Sequence, residues 1–128
     1  MRERFAPCPP SPNCVSSYAG DEEHHVDPLP LPADRPEATD ADILEALRRV
    51  LSALPRTRIV NVEGDYLHAT CTSLVFRFVD DVEFRLDREA GVMHVRSASR
   101  VGYGDLGVNR RRVEKIRALL RAERDVSC

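Results

Sequence analysis

Between Val95 and Arg112 the chain reads VRSASRVGYGDLGVNRRR. Arg96, Ser97, Ser99, Arg100, Tyr103, Asn109 and Arg110 crowd hydrogen-bonding groups around three glycines, just before a stretch with helical periodicity. Glycine permits tight turns, and free backbone N–H groups at a helix start, joined by guanidinium forks, suit a phosphate or carboxylate. Those seven residues are the candidate ligand-binding set. A structural reading competes with it. Asp80, Asp81 and Asp105 can neutralise the arginines in a salt-bridge network that fixes the last helix, as buried arginines require. A third reading is catalytic: a small hydrolase- or isomerase-like enzyme working with Arg96, Arg100, Asp80 or Asp105. The spacing matches neither a Walker loop nor a dinucleotide fingerprint, and no cofactor is expected.

Other reactive groups are weaker candidates. Asp80 and Asp81 are adjacent; on a strand they point to opposite faces, so only a loop lets them cooperate on an ion. Turn chemistry and salt bridging are the simpler reading. His24 and His25 lie among Asp21, Glu22, Glu23 and Asp27, a set of metal-capable groups without rigid support, read here as a solvated acidic stretch. His68 and His94 fall at outward-facing strand positions, and no serine sits in a nucleophile elbow. The last helix carries Arg110, Arg111, Arg112, Lys115, Arg117, Arg121 and Arg124 against Glu114 and Glu123, which reads as a solvated basic face. No metal site is expected.

The elements that position these groups follow from periodicity. Residues 1–38 hold all but one of the nine prolines, which predicts an extended N-terminal arm. Residues 39–128 form the ordered domain. Thr39 and Asp42 make a capping box for a helix with Ile43, Leu44, Leu47, Val50, Leu51 and Leu54 on one stripe, stopped by Pro55. Strands are predicted at Arg58–Val62, Tyr66–Cys71, Val82–Asp87 and Val92–Ser97, with hairpin loops at Gly64 and Gly91. Leu74–Val79 has three readings: a further strand in a hairpin closed near Asp80-Asp81, part of one long kinked strand, or a compact linker into Val82. Asn109 can cap a final helix running to about Arg124. The order gives an α+β fold, an antiparallel four- or five-stranded sheet with two helices on one face.

A length of 128 residues suits a single core. The formal net charge of −2 argues against nucleic-acid binding and against general attraction to anionic membranes. No apolar run is long enough for a membrane-spanning helix. The start, MRERFAPCPPSPNC, lacks the apolar core of a signal peptide. As written the chain is expected in the cytoplasm, and in the envelope or outside if a leader is removed. Cys8 and Cys14 can close a small loop or remain free thiols. Their spacing is not a zinc-binding pair. Cys71 alternates with Leu67 and Ala69 as a core residue, and Cys128 is terminal.

Three passages carry a family resemblance: Cys8-Pro-Pro-Ser-Pro-Asn-Cys-Val-Ser-Ser17, Phe78-Val-Asp-Asp-Val-Glu-Phe84, and Arg96 through Arg110. Together they resemble the bacterial and plastid family called domain of unknown function 1499. The resemblance implies one small domain and supplies no reaction. Many members look exported or membrane-attached, which would favour a Cys8–Cys14 disulfide. The reading that results is a small non-enzymatic binding or accessory domain holding a polar or anionic ligand near Arg96–Arg110. Its alternatives are the enzyme above and a structural or protein-interaction domain with no small ligand. Expected partners are a small anionic ligand or another protein.

Overall fold

The computed structural model describes residues 5–31, 37–75, 77–102, 104 and 107–127. Tyr103, Asp105 and Cys128, named above, and Phe76 within Leu74–Val79 lie outside these described residues. The elements run β1 (Cys14–Ser16), β2 (Leu29–Pro30), α1 (Asp40–Ser52), β3 (Thr57–Glu63), β4 (Tyr66–Thr72), β5 (Val79–Asp87), β6 (Val92–Ser99) and α2 (Val108–Ser127). The fold is α+β.

Four long strands and two short ones build one antiparallel sheet in the order β1-β6-β5-β4-β3, with β2 also paired to β6. Both short strands come from the proline-rich segment, which therefore lies along the sheet. Pro30 sits in the two-residue β2, at the end of a ladder where its missing N–H costs little. Gly64 and Gly91 take positive φ (60° and 71°) in the two hairpin turns, a conformation that strains any residue with a Cβ.

Alternation divides the sheet into two faces. Leu67, Ala69, Cys71, Val82, Phe84, Leu86, Met93 and Val95 are buried on the inner face, against Leu47, Leu51, Val113 and Ile116 of the two helices. Tyr66, His68, Asp81, Glu83, Arg85, His94 and Arg96 stand on the other, open face. α1 starts as its sequence predicts: Asp42 N–H donates to Thr39 Oγ1 at 3.1 Å, and Thr39 N–H donates to Asp42 Oδ2 at 3.0 Å.

Two expectations are corrected, and one open reading is decided. Asp80 and Asp81 form no loop: Thr72 pairs with Val79 and Cys71 with Asp80, so β5 begins at Val79, and of the three readings of Leu74–Val79 the linker is the one that fits. This register keeps Val82 and Phe84 inside without a conflict on the neighbouring strand. Asn109 is not the cap of α2, because the helix begins at Val108 and draws the Asn109 side chain inward, where it is fully buried. The acidic stretch is not wholly solvated, because His24 is buried between two hydrogen-bond acceptors.

Candidate functional site

The described residues among those singled out between Arg96 and Arg110 fall in three places. Ser97, Ser99 and Asn109 lie on the helix side of the sheet. Ser97 Oγ donates to Asn109 Oδ1 at 2.6 Å, while Asn109 Nδ2 donates to Ser99 Oγ at 3.1 Å and to the Asn13 carbonyl at 3.2 Å. Arg112 Nη1 reaches the same Asn109 Oδ1 at 2.8 Å and Asp80 Oδ2 at 2.9 Å. Asn13 in turn donates to the Gly102 carbonyl at 2.7 Å. One connected network thus ties β1, β5, β6 and the start of α2. Its members satisfy each other, as buried polar groups must.

Arg96 and Arg100 point the other way, to the open face. Arg100 is half exposed and grips Asp81 with two bonds, Nε to Oδ2 at 2.8 Å and Nη2 to Oδ1 at 2.9 Å. His68 Nε2 lies 2.7 Å from Asp81 Oδ1 and must carry the proton, since a carboxylate only accepts. The Arg100 bonds, aided by His68, hold the Asp81 carboxyl below the usual carboxylate range. Arg96 Nη1 stands 3.6 Å from Glu83 Oε1, and Glu83 Oε2 accepts from the Tyr66 hydroxyl at 2.6 Å. Burial, then the Glu83 bond, pushes the Tyr66 hydroxyl's pKa up.

The N-terminal segment covers part of this face. Phe5 and Tyr66 both lie against the Arg85 guanidinium, at 5.5 and 4.9 Å from the ring centres. Tyr18 stacks on His94 at 4.0 Å, and the Pro7 carbonyl accepts from Arg96 at 3.4 Å. Cys8 and Cys14 are joined in a disulfide that fastens this segment beside β1.

Arg110 belongs to neither group. Its two terminal nitrogens donate to the His25 and Glu23 carbonyls at 2.7 and 2.9 Å, and so latch α2 to the N-terminal segment. Nearby, His24 Nδ1 faces Asp21 Oδ2 at 2.5 Å and Nε2 faces the Ser11 carbonyl at 2.9 Å. Both partners are acceptors, an arrangement that favours the doubly protonated ring. The Ser11 carbonyl, with Asp21, raises the His24 pKa. Asp21, Glu23 and His24 bring ligand atoms within 4.8 Å of one another, with both His24 ring nitrogens turned to hydrogen-bond acceptors.

The feature that sequence reasoning did not assemble is a cleft of about 440 Å³ between the end of α1 and the start of α2. Leu54, Pro55, Leu74 and Val108 supply apolar lining, and Arg56, Arg111, Arg112 and Lys115 supply cations. Among the described lining residues Asp80 is the one carboxylate, and it already holds Arg112. Arg56 takes a positive φ of 52°, with its Nε donating to the Thr72 carbonyl at 2.9 Å. The α2 first turn contains no acidic residue, so the positive end of the helix dipole adds to the cations rather than being offset. Three consecutive arginines at a helix start were visible in the sequence. Arg56, more than fifty residues earlier, could be joined to them only by the fold.

The family model described as protein of unknown function (DUF1499) matches residues 4–120. The chain belongs to this family. No curated protein and no solved structure matches it. Among the described residues, no helix of this DUF1499 protein is long and apolar enough to cross a membrane.

Proposed function

We propose that this DUF1499 protein is a non-enzymatic binding domain, and that its ligand is a small anion with an apolar portion held in the α1–α2 cleft. The observation that carries this reading is the charge of the cleft wall: beyond the Arg112–Asp80 pair, Arg56, Arg111 and Lys115 line it with no second carboxylate among the described lining residues. The apolar lining beside them suits a short acyl or aromatic group better than a bare inorganic ion. Of the set read from the sequence, the described residues Arg96, Ser97, Ser99, Arg100, Asn109 and Arg110 do not line this wall; they make contacts in the buried network, on the open face and with the N-terminal segment. The Arg/Asp cluster needed for catalysis is likewise divided, because Asp80 and Asp81 serve opposite faces of the sheet.

A thermal-shift series with phosphate, acetate and octanoate tests the proposal, with Lys115→Glu beside the wild type. Octanoate is expected to raise the wild-type melting temperature more than acetate does, by mass action on the folded state. Lys115 is exposed and outside the buried network, so the variant should fold normally and lose the shift. No shift from any of the three anions, or an equal shift in the variant, rejects the cleft as the binding site.

A further inference from the structure

The linker between β4 and β5 is a built protrusion. Ser73 N–H donates to the Phe78 carbonyl at 2.9 Å, and Phe78 N–H donates to Ser73 Oγ at 2.9 Å. These two bonds close the base of residues 73–78. Arg77 holds a positive φ of 59° within the turn. Leu74 and Val75, at 66% and 75% exposure, stand outward, with Phe78 at 51%.

Of the seven large hydrophobic side chains exposed among the described residues, five lie at this end of the molecule: Leu74, Val75, Phe78, Val101 and Val108. Arg100 N–H donates to the Val79 carbonyl, which sets the start of the β6–α2 connection beside the protrusion. Leu74 and Val108 line the same cleft. Hydrophobic residues scattered singly over a surface need no explanation, whereas a contiguous exposed group marks an interaction surface.

Charge selects the partner. The net charge of −2 conceals a separation between the two ends of the sheet. At the hairpin end, Asp40, Asp65, Asp87 and Glu89 line one cleft with Arg85 and Arg88, which pair with Asp65 and Asp40, so among the described residues acids outnumber these arginines there. At the protrusion end stand Arg56, Arg77, Arg111 and Lys115, while Asp80 and Asp81 are consumed by Arg112 and Arg100. We propose that this end docks on an anionic lipid surface, with Leu74, Val75 and Phe78 entering the interface and the cations at the same end of the sheet meeting the headgroups. Exposed apolar side chains beside arginine and lysine fit a deformable bilayer surface, where long basic side chains reach the headgroups while their stems stay in apolar contact. The inference does not depend on a free anion binding in the cleft.

Co-sedimentation of the full chain with vesicles tests it. Vesicles of phosphatidylcholine plus phosphatidylglycerol should pellet the protein at low salt, and phosphatidylcholine alone should not. Raising salt past the screening range should weaken the binding. Val75→Asp/Phe78→Asp should lower vesicle affinity roughly tenfold or more. Both positions are exposed, so its thermal melt should match the wild type. Arg77→Glu, which keeps every apolar group, should change binding in the same direction. Val75 and Phe78 do not line the cleft, so the octanoate shift should survive in the double variant, which separates failure of this inference from failure of the cleft. Absence of wild-type binding to anionic vesicles overturns the inference, as does undiminished binding by the double variant. Self-association that the double variant abolishes, without vesicle binding, would assign the tip to a second copy and overturn it equally.

Discussion

Asp80 and Asp81 are consecutive in the chain and serve opposite sides of the sheet. Asp80 turns inward to Arg112 at 2.9 Å, under the start of α2, while Asp81 turns outward to Arg100 and His68. The alternation of a strand imposes this division. It decides which of the neighbouring arginines braces the fold and which decorates it.

Removing the two ionic contacts should therefore have unequal effects. Asp80→Ala leaves the Arg112 guanidinium nearly buried without its carboxylate, and the loss is expected to be about 3 kcal/mol. Arg100 is half exposed, so Arg100→Ala should cost much less, as exposed ion pairs do. Urea unfolding of both variants measures the difference. Equal losses would mean that the burial contrast between the two pairs carries no energetic weight.

Asn109 is the node of the inner network, its fully buried amide bonding to Ser97, Ser99, Arg112 and the Asn13 carbonyl. Asn109→Ala removes the buried amide, while Ser97 Oγ keeps Arg112 Nη1 at 3.2 Å and the Asn13 carbonyl keeps the Ser99 N–H at 3.0 Å, so the loss is expected to be about 1–2 kcal/mol. Asn109→Asp should not rescue it. A second carboxylate would stand near Asp80, and the donors to Ser99 and to the Asn13 carbonyl would be gone. Thermal denaturation of the two variants checks this, and near-wild-type stability in either would remove Asn109 from its place in the argument.

Much of the fold was legible in the sequence because its signals are local. The Thr39–Asp42 capping box, the α1 stripe and the alternation of Val82, Phe84 and Leu86 each need only a few neighbouring residues. The β4–β5 junction was ambiguous for a physical reason. Leu74, Phe76 and Phe78 alternate like a strand, and only the pairing of Thr72 with Val79 fixes where β5 starts. Asn109 has good capping chemistry, and the burial of its side chain overrides that preference. His24 looked solvated because its acidic neighbours did, and the Ser11 carbonyl that buries it comes from thirteen residues upstream.

The candidate site was less legible than the fold. The density of arginine and serine between Arg96 and Arg110 was plain, but strand alternation and the turn into α2 send those side chains in three directions. The cleft gathers Arg56 from the α1–β3 connection with Arg111 and Lys115 from α2. Nothing local in the sequence links them.

The buried histidine makes stability depend on pH in a stated direction. His24 has a folded pKa above its ordinary 6.5, owing first to the Ser11 carbonyl and then to Asp21. Its contribution is complete below 6.5 and is lost as pH rises through the raised value. Asp21 is held below 3.8, chiefly by the His24 bond, so its contribution is complete above 3.8 and is lost as pH falls through the lowered value. Both contributions are complete between those limits. The wild-type melting temperature should fall as pH is raised beyond 6.5, and His24→Gln should flatten that limb. An unchanged slope in the variant would place the dependence on another group.

The disulfide gives the last prediction. Cys8 and Cys14 lie six residues apart, and closing so short a loop restricts the unfolded chain by roughly 2 kcal/mol. The bond also holds the segment whose Pro7 carbonyl and Phe5 ring meet Arg96 and Arg85. Cys8→Ser should therefore lower global stability by about that amount, and it should also loosen the cover over the open face. Amide exchange in β6 separates the two effects. Faster exchange near Arg96, beyond what the global loss explains, is expected if the segment detaches when the crosslink is cut. Uniform acceleration across the sheet would mean that the crosslink acts only on the unfolded chain and that the segment stays in place through its own contacts. An unchanged denaturation midpoint in the variant would show that neither effect operates.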